Sequence, residues 1–69
     1  MEQGRVKWFN NKKGYGFILD NKKMDVMVHH TVIDMEGFAS LSEGQEVDFE
    51  ANDTDTGRRA TYVSIKKMG

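Results

Sequence analysis

Sixty-nine residues with no cysteine make one small domain, residues 1–69, that no disulfide or thiolate metal site can staple. A chain this short has little room for the deep, walled cleft of most enzymes, and no apolar run approaches a membrane span or a signal core. The net charge of −1 hides a segregation: residues 1–30 and 58–69 carry all ten Lys and Arg, while residues 31–57 hold eight of the eleven acids and no cation.

In chain order, Arg5 to Asn10 reads as a first strand, and Asn11-Lys12-Lys13-Gly14 as a tight turn. Tyr15 to Leu19 is a second strand with Tyr15, Phe17 and Leu19 on one face and Gly16 and Ile18 on the other. Residues 20–25 form a polar loop. Val26 to His30 is a third strand, with Val26 and Val28 opposite Met27 and His29. Residues 31–34 suit one helical turn, and 37–40 sit in a long connection. Gln45 to Ala51 alternates apolar Val47 and Phe49 with Glu46, Asp48 and Glu50. Residues 52–57 read as a turn-rich loop, and Ala60 to Ile65 as a last strand. Five short strands without a convincing long helix predict an all-β fold, a small five-stranded antiparallel barrel. Its expected core is Val6, Ile18, Val26, Val28, Ile33, Val47, Phe49, Val63 and Ile65.

That core leaves Trp8, Phe9, Tyr15, Phe17 and Phe38 to be placed. By alternation alone the strand aromatics serve equally as core or as an outer platform. A barrel of this size can hardly bury all of them beside the aliphatic set, and exposed aromatic clusters on small proteins mark binding surfaces. Trp8 and Phe9 are neighbours on a strand, so one of the two is expected to face inward. Unpaired nucleobases stack on flat rings, and nearby Lys7, Lys12 and Lys13 can reach phosphates.

The segments Gly4-Arg5-Val6-Lys7-Trp8-Phe9-Asn10, KGYGFI at 13–18, DVMVHH at 25–30, GF at 37–38 and LSEGQEVDFE at 41–50 together resemble the bacterial cold-shock proteins over nearly the whole chain. The resemblance implies the cold-shock domain, a barrel of the oligonucleotide-binding type. It also implies a cytoplasmic nucleic-acid chaperone of the stress response that binds single-stranded RNA and DNA with a modest pyrimidine preference. Such a protein traps unpaired strands without catalysis or cofactor, and so modulates transcription and translation.

Position by position, the resemblance implies that Lys7 and Lys13 contact the backbone. Trp8, Tyr15, Phe17, His29 and Phe38 stack on bases, with Phe9 helping at the edge. Asp25 hydrogen-bonds a base edge, and Arg58 or Arg59 closes the groove. The third strand departs from the usual V-F-V-H-F, because Met27 and His30 stand in place of phenylalanines. Methionine keeps a polarizable contact with a base but loses the ring, so the platform is expected to be thinner there.

Alternatives are weaker. Adjacent strand histidines point to opposite faces, so His29 and His30 are poorly placed to share an ion, and no cysteine completes a site. No G-x-S-x-G or phosphate-binding glycine loop is present. A peptide-binding groove built on the same aromatics is the closest competitor, but it has no need of a lysine row. A monomer is expected, with a strand-exchanged dimer through loops 20–25 and 52–58 as the other possibility.

Overall fold

The computed structural model describes residues 1–35, 37 and 40–66. Strands β1 (Glu2–Asn10), β2 (Tyr15–Asp20) and β3 (Asp25–His29) form an antiparallel meander. A 3-10 turn, His30–Val32, leads into a two-residue strand β4 (Ile33–Asp34). Strands β5 (Glu46–Thr54) and β6 (Gly57–Ile65) then make a long hairpin. β5 pairs with β1, and β6 reaches round to β3, closing five long strands into a barrel, with β4 added along the edge of β6.

The barrel matches the all-β expectation but is not wholly antiparallel: β3 closes on β6 in parallel, and the short β4 also pairs with β6 in parallel. The reason is arithmetic, since strand direction cannot alternate all the way round a closed ring of five. Among the described residues, no helix is long and apolar enough to cross a membrane.

Alternation decides the interior. Val6, Ile18, Val26, Val28, Ile33, Val47, Phe49 and Val63 are buried, as the pattern predicts. Ile65 is only half-buried against them, while Leu41 and Ala60 join the core unannounced. Leu41 comes from the long connection, and its backbone N–H donates to Asn11 Oδ1 at 3.3 Å.

Two bulges break the alternation, and both bear on the outer surface. In β1 the register passes from Val6 opposite Ile18 to Trp8 opposite Phe17, so Lys7 is an extra residue. Lys7 and Trp8 therefore both face outward, and Phe9 returns to the inner side, half-buried against the core. In β6 the register passes from Tyr62 opposite Glu50 to Ala60 opposite Ala51, which makes Thr61 the extra residue. Counting back from Val63 without that bulge would turn Arg59 inward; with it, Ala60 and Arg58 take the inner phase and Arg59 is exposed.

The expected loop over 52–57 is mostly strand: β5 runs to Thr54, β6 starts at Gly57, and Asp55-Thr56 alone makes the turn. Residues 20–25 are ordered by a buried carboxylate. Asp20 Oδ1 accepts from the backbone N–H groups of Lys22 (2.8 Å) and Met24 (2.9 Å), which satisfies donors a turn would otherwise leave free.

Candidate nucleic-acid interface

Pairing across β1, β2, β3 and β6 lines up one outward row: Trp8 opposite Phe17, Phe17 opposite Met27, and Met27 opposite Arg59. A second row, Asn10, Tyr15 and His29, lies two residues along the strands. Neighbouring strands stand about 4.8 Å apart, so each row is a continuous strip of side chains. Trp8 packs tilted on Phe17 (centroids 5.4 Å, 59°) and edge-on to Tyr15 (5.7 Å, 73°), yet 38% of it remains exposed. Such contacts hold the rings in place without covering their surface.

Two glycines make room beneath this strip. A Cβ on Gly16 would stand 2.7 Å from Phe9 Cα and 2.9 Å from Phe9 Cδ1, so glycine is what lets β2 lie this close to β1. Gly14 has φ +76°, and a Cβ there would run into the His30 imidazole, 3.2 Å from its Cγ. His30 is thus seated on Gly14, and its backbone N–H donates to the Gly14 carbonyl at 2.8 Å.

The two histidines do not diverge as strand alternation implies. β3 ends at His29 and the chain turns at once into the 3-10 segment, which brings the rings to 4.4 Å between centroids and 37° between planes. Thr31 fixes the first of them, with Oγ1 2.9 Å from His29 Nδ1 and its backbone N–H donating to the same atom at 3.4 Å. Among the described residues no group of three or more His, Cys, Asp or Glu is placed to hold a metal ion.

The cations divide into tied and untied. Asn10 Oδ1 accepts from the backbone of Lys12 (3.0 Å) and Lys13 (2.9 Å), which holds the turn that carries both exposed lysines between β1 and β2. Lys7 donates to Asp25 at 3.2 Å in an exposed pair, a contact worth under about 1 kcal/mol and readily exchanged. Arg58 is different. It binds Glu2, Asp20 (3.1 Å) and Asp53 (3.8 Å), joining the start of β1, the end of β2 and the β5–β6 hairpin.

These partners shift one another. The Arg58 guanidinium hydrogen-bonded to Glu2 holds that carboxyl below its usual range, and Glu2 in turn raises Arg58. Asp20 is lowered chiefly by the Met24 N–H, against the opposing effect of burial, with further help from Lys22 N–H and Arg58. At the far side Tyr62 donates to Asp34 at 2.7 Å, which raises the phenol.

Of the residues singled out in the sequence, Lys7, Trp8, Tyr15, Phe17, Asp25, Met27, His29 and Arg59 share one face, with His30 packed beside His29 and Lys13 exposed in the adjoining β1–β2 turn. Phe9 sits at its margin, on the inner side. Arg58 is committed to carboxylates instead, and Phe38 lies outside the described residues. The sequence reading does not single out the supporting roles of Asn10 and Thr31; an Asn just before the Asn11-Lys12-Lys13-Gly14 turn is the signal that marks the first.

A family model for the 'Cold-shock' DNA-binding domain matches residues 2–66. Cold shock protein CspB of Geobacillus stearothermophilus is 56% identical over 63 residues, covering 91% of this chain and 96% of that protein. Over the same coverage, cold shock protein CspD of Bacillus subtilis is 51% identical. The cold shock-like protein of Thermotoga maritima, also 91% and 96% covered, is 49% identical. A family match over nearly the whole chain, relatives covered over nearly their whole length and a barrel of the same class lead to one conclusion: the chain belongs to the cold-shock domain family, binding proteins for nucleic acid rather than enzymes.

Proposed function

We propose that the chain is a cytoplasmic, monomeric chaperone for single-stranded RNA and DNA, preferring pyrimidine-rich segments. The observation that carries this reading is the outward strip Trp8–Phe17–Met27, bordered by Tyr15 and His29 and flanked by Lys7, Lys12 and Lys13. Bases stack on Trp8, Tyr15, Phe17, His29 and Phe38, while His30 extends the track. Lys13 and Lys7 neutralise phosphates, and Asp25 accepts from a base edge. Phe9 supports the margin.

The mechanism is passive. A duplex offers no base faces, so the protein captures bases exposed by breathing, and mass action draws the equilibrium toward open strands. Low sequence specificity follows, because every base has a face. Trp8 is the sole tryptophan and stands in the strip, so its fluorescence reports occupancy. Titration with oligo-dT should quench it at micromolar protein and low salt, whereas a matched duplex should leave it unchanged. Equal responses to both would refute single-strand capture. Binding should weaken as salt rises, because the lysines displace counterions; a flat salt response would point to a peptide groove instead.

A further inference from the structure

Five methionines and no cysteine make thioethers the softest oxidisable groups of this chain, and the fold sets the described ones in three situations. Met1 and Met24 lie on the surface, 69% and 61% exposed. Met35 packs against the core. Met27 is in neither position. It stands half-buried in the outward row between Phe17 and Arg59, and it belongs neither to the core nor to the half-buried side chains packed on it. It also lines a cleft that opens toward Thr54 and Thr56 of the β5–β6 hairpin. A small oxidant entering that cleft meets the methionine at the middle of the stacking floor. A phenylalanine ring there, as in the usual V-F-V-H-F, has no sulfur to oxidise.

We propose that Met27 is a site of reversible oxidation, at which hydrogen peroxide turns single-strand binding down without unfolding the barrel. A sulfur lone pair attacks one peroxide oxygen, and the S–O bond forms as the O–O bond breaks. The departing hydroxide takes the proton of the transferred oxygen and leaves as water, so the sulfur is oxidised by two electrons and the peroxide reduced by two. Reduction by two thiols returns the thioether and gives a disulfide and water. The sulfoxide puts a polar, chiral group where the thioether made an apolar, polarizable contact. A base lying over it strips water from the S–O dipole and gives it no donor in return, because a base face has none. The other methionines do not share this consequence. Oxidation of Met35 is felt in packing, and Met24 sits in the β2–β3 loop, outside the strip. This inference rests on the single-strand reading above and adds a control to it.

The test treats the intact protein with limiting hydrogen peroxide, locates the added oxygen by peptide mass mapping, and reads binding from the anisotropy of a labelled oligo-dT. Protein oxidised at Met27 should bind about tenfold more weakly, within the range for covering one unpartnered polar group, and keep its urea midpoint. Methionine sulfoxide reductases of both epimer specificities, with dithiothreitol, should restore the affinity. Bound oligo-dT should slow oxidation at Met27 and leave that at Met24 unaltered. In Met27→Leu the affinity measured before peroxide should persist after it, whereas Met24→Leu should lose affinity as the parent does. Full affinity in protein oxidised at Met27 overturns the switch and leaves the single-strand function standing. So does a loss that survives Met27→Leu, a loss matched by unfolding, or a Met27 that stays reduced while Met24 oxidises. Failure of the untreated protein to bind oligo-dT overturns the function itself, and the switch with it.

Discussion

Two regions of the barrel hold similar chemistry and use it in opposite ways. On the β1–β2–β3 face, aromatic rings and cations are left open: Trp8 is exposed, Lys13 and Arg59 make no ion pair among the described residues, and the Lys7–Asp25 pair is exposed. At the barrel end where β6 begins, Arg58 is spent inside the protein on Glu2, Asp20 and Asp53. The adjacent arginines Arg58 and Arg59 mark the boundary. On the proposed reading, the binding surface is set by what the fold leaves unpartnered rather than by residue type.

If the two regions divide stability from binding, mutations should separate them. The largest effect is expected at the tied end. Asp20→Ala removes the acceptor of two backbone N–H groups and one partner of Arg58, so it should cost about 2–4 kcal/mol in urea unfolding, much of what a domain of this size has. The fraction that stays folded should still bind oligo-dT. A binding loss larger than the folding loss would collapse the distinction.

On the open face the signs reverse. Phe17→Ala should weaken oligo-dT binding by about 1–3 kcal/mol, the worth of one stacked base, and lower stability by less. Equal losses in both measurements would mean that Phe17 is chiefly a packing residue. Gly14→Ala lies where the regions meet. It forces a left-handed conformation on alanine and dislodges His30, so it should cost about 1 kcal/mol of stability and also weaken binding.

Much of this division was legible in the sequence, and the parts that were not share a cause. Alternation in Tyr15–Leu19 and in Val47–Phe49 assigned faces correctly because those strands are regular. It left Trp8 against Phe9 undecided because the pair lies next to a bulge, and the resemblance left Arg58 or Arg59 open beside another. A bulge is a property of two paired strands, and one inserted residue leaves no mark in the residue types of either. Asp20 read as the start of a polar loop, since nothing local shows that Arg58, far along the chain, will meet it. His29 and His30 read as diverging because the strand ends one residue earlier than alternation suggested.

The smallest predicted effect concerns acid. Asp20 and Glu2 titrate below their usual 3.8 and 4.5, so on acidification the unfolded chain takes up protons first. Their contribution to stability is intact above those values and is lost as pH falls through the lowered ones. The urea midpoint should therefore hold nearly constant from about pH 7 to 5.5 and decline below about pH 4, with a shallower decline in Asp20→Asn. An identical decline in the variant would remove Asp20 from the acid response.

The most direct test of the central claim is a map of backbone amide chemical shifts during titration with a short oligo-dT. The account predicts the largest changes at residues 7–17, 25–30 and 59, with Glu2, Asp20 and Asp53 nearly still. Changes concentrated at Arg58 and its carboxylates, or along the outer face of β5, would contradict it.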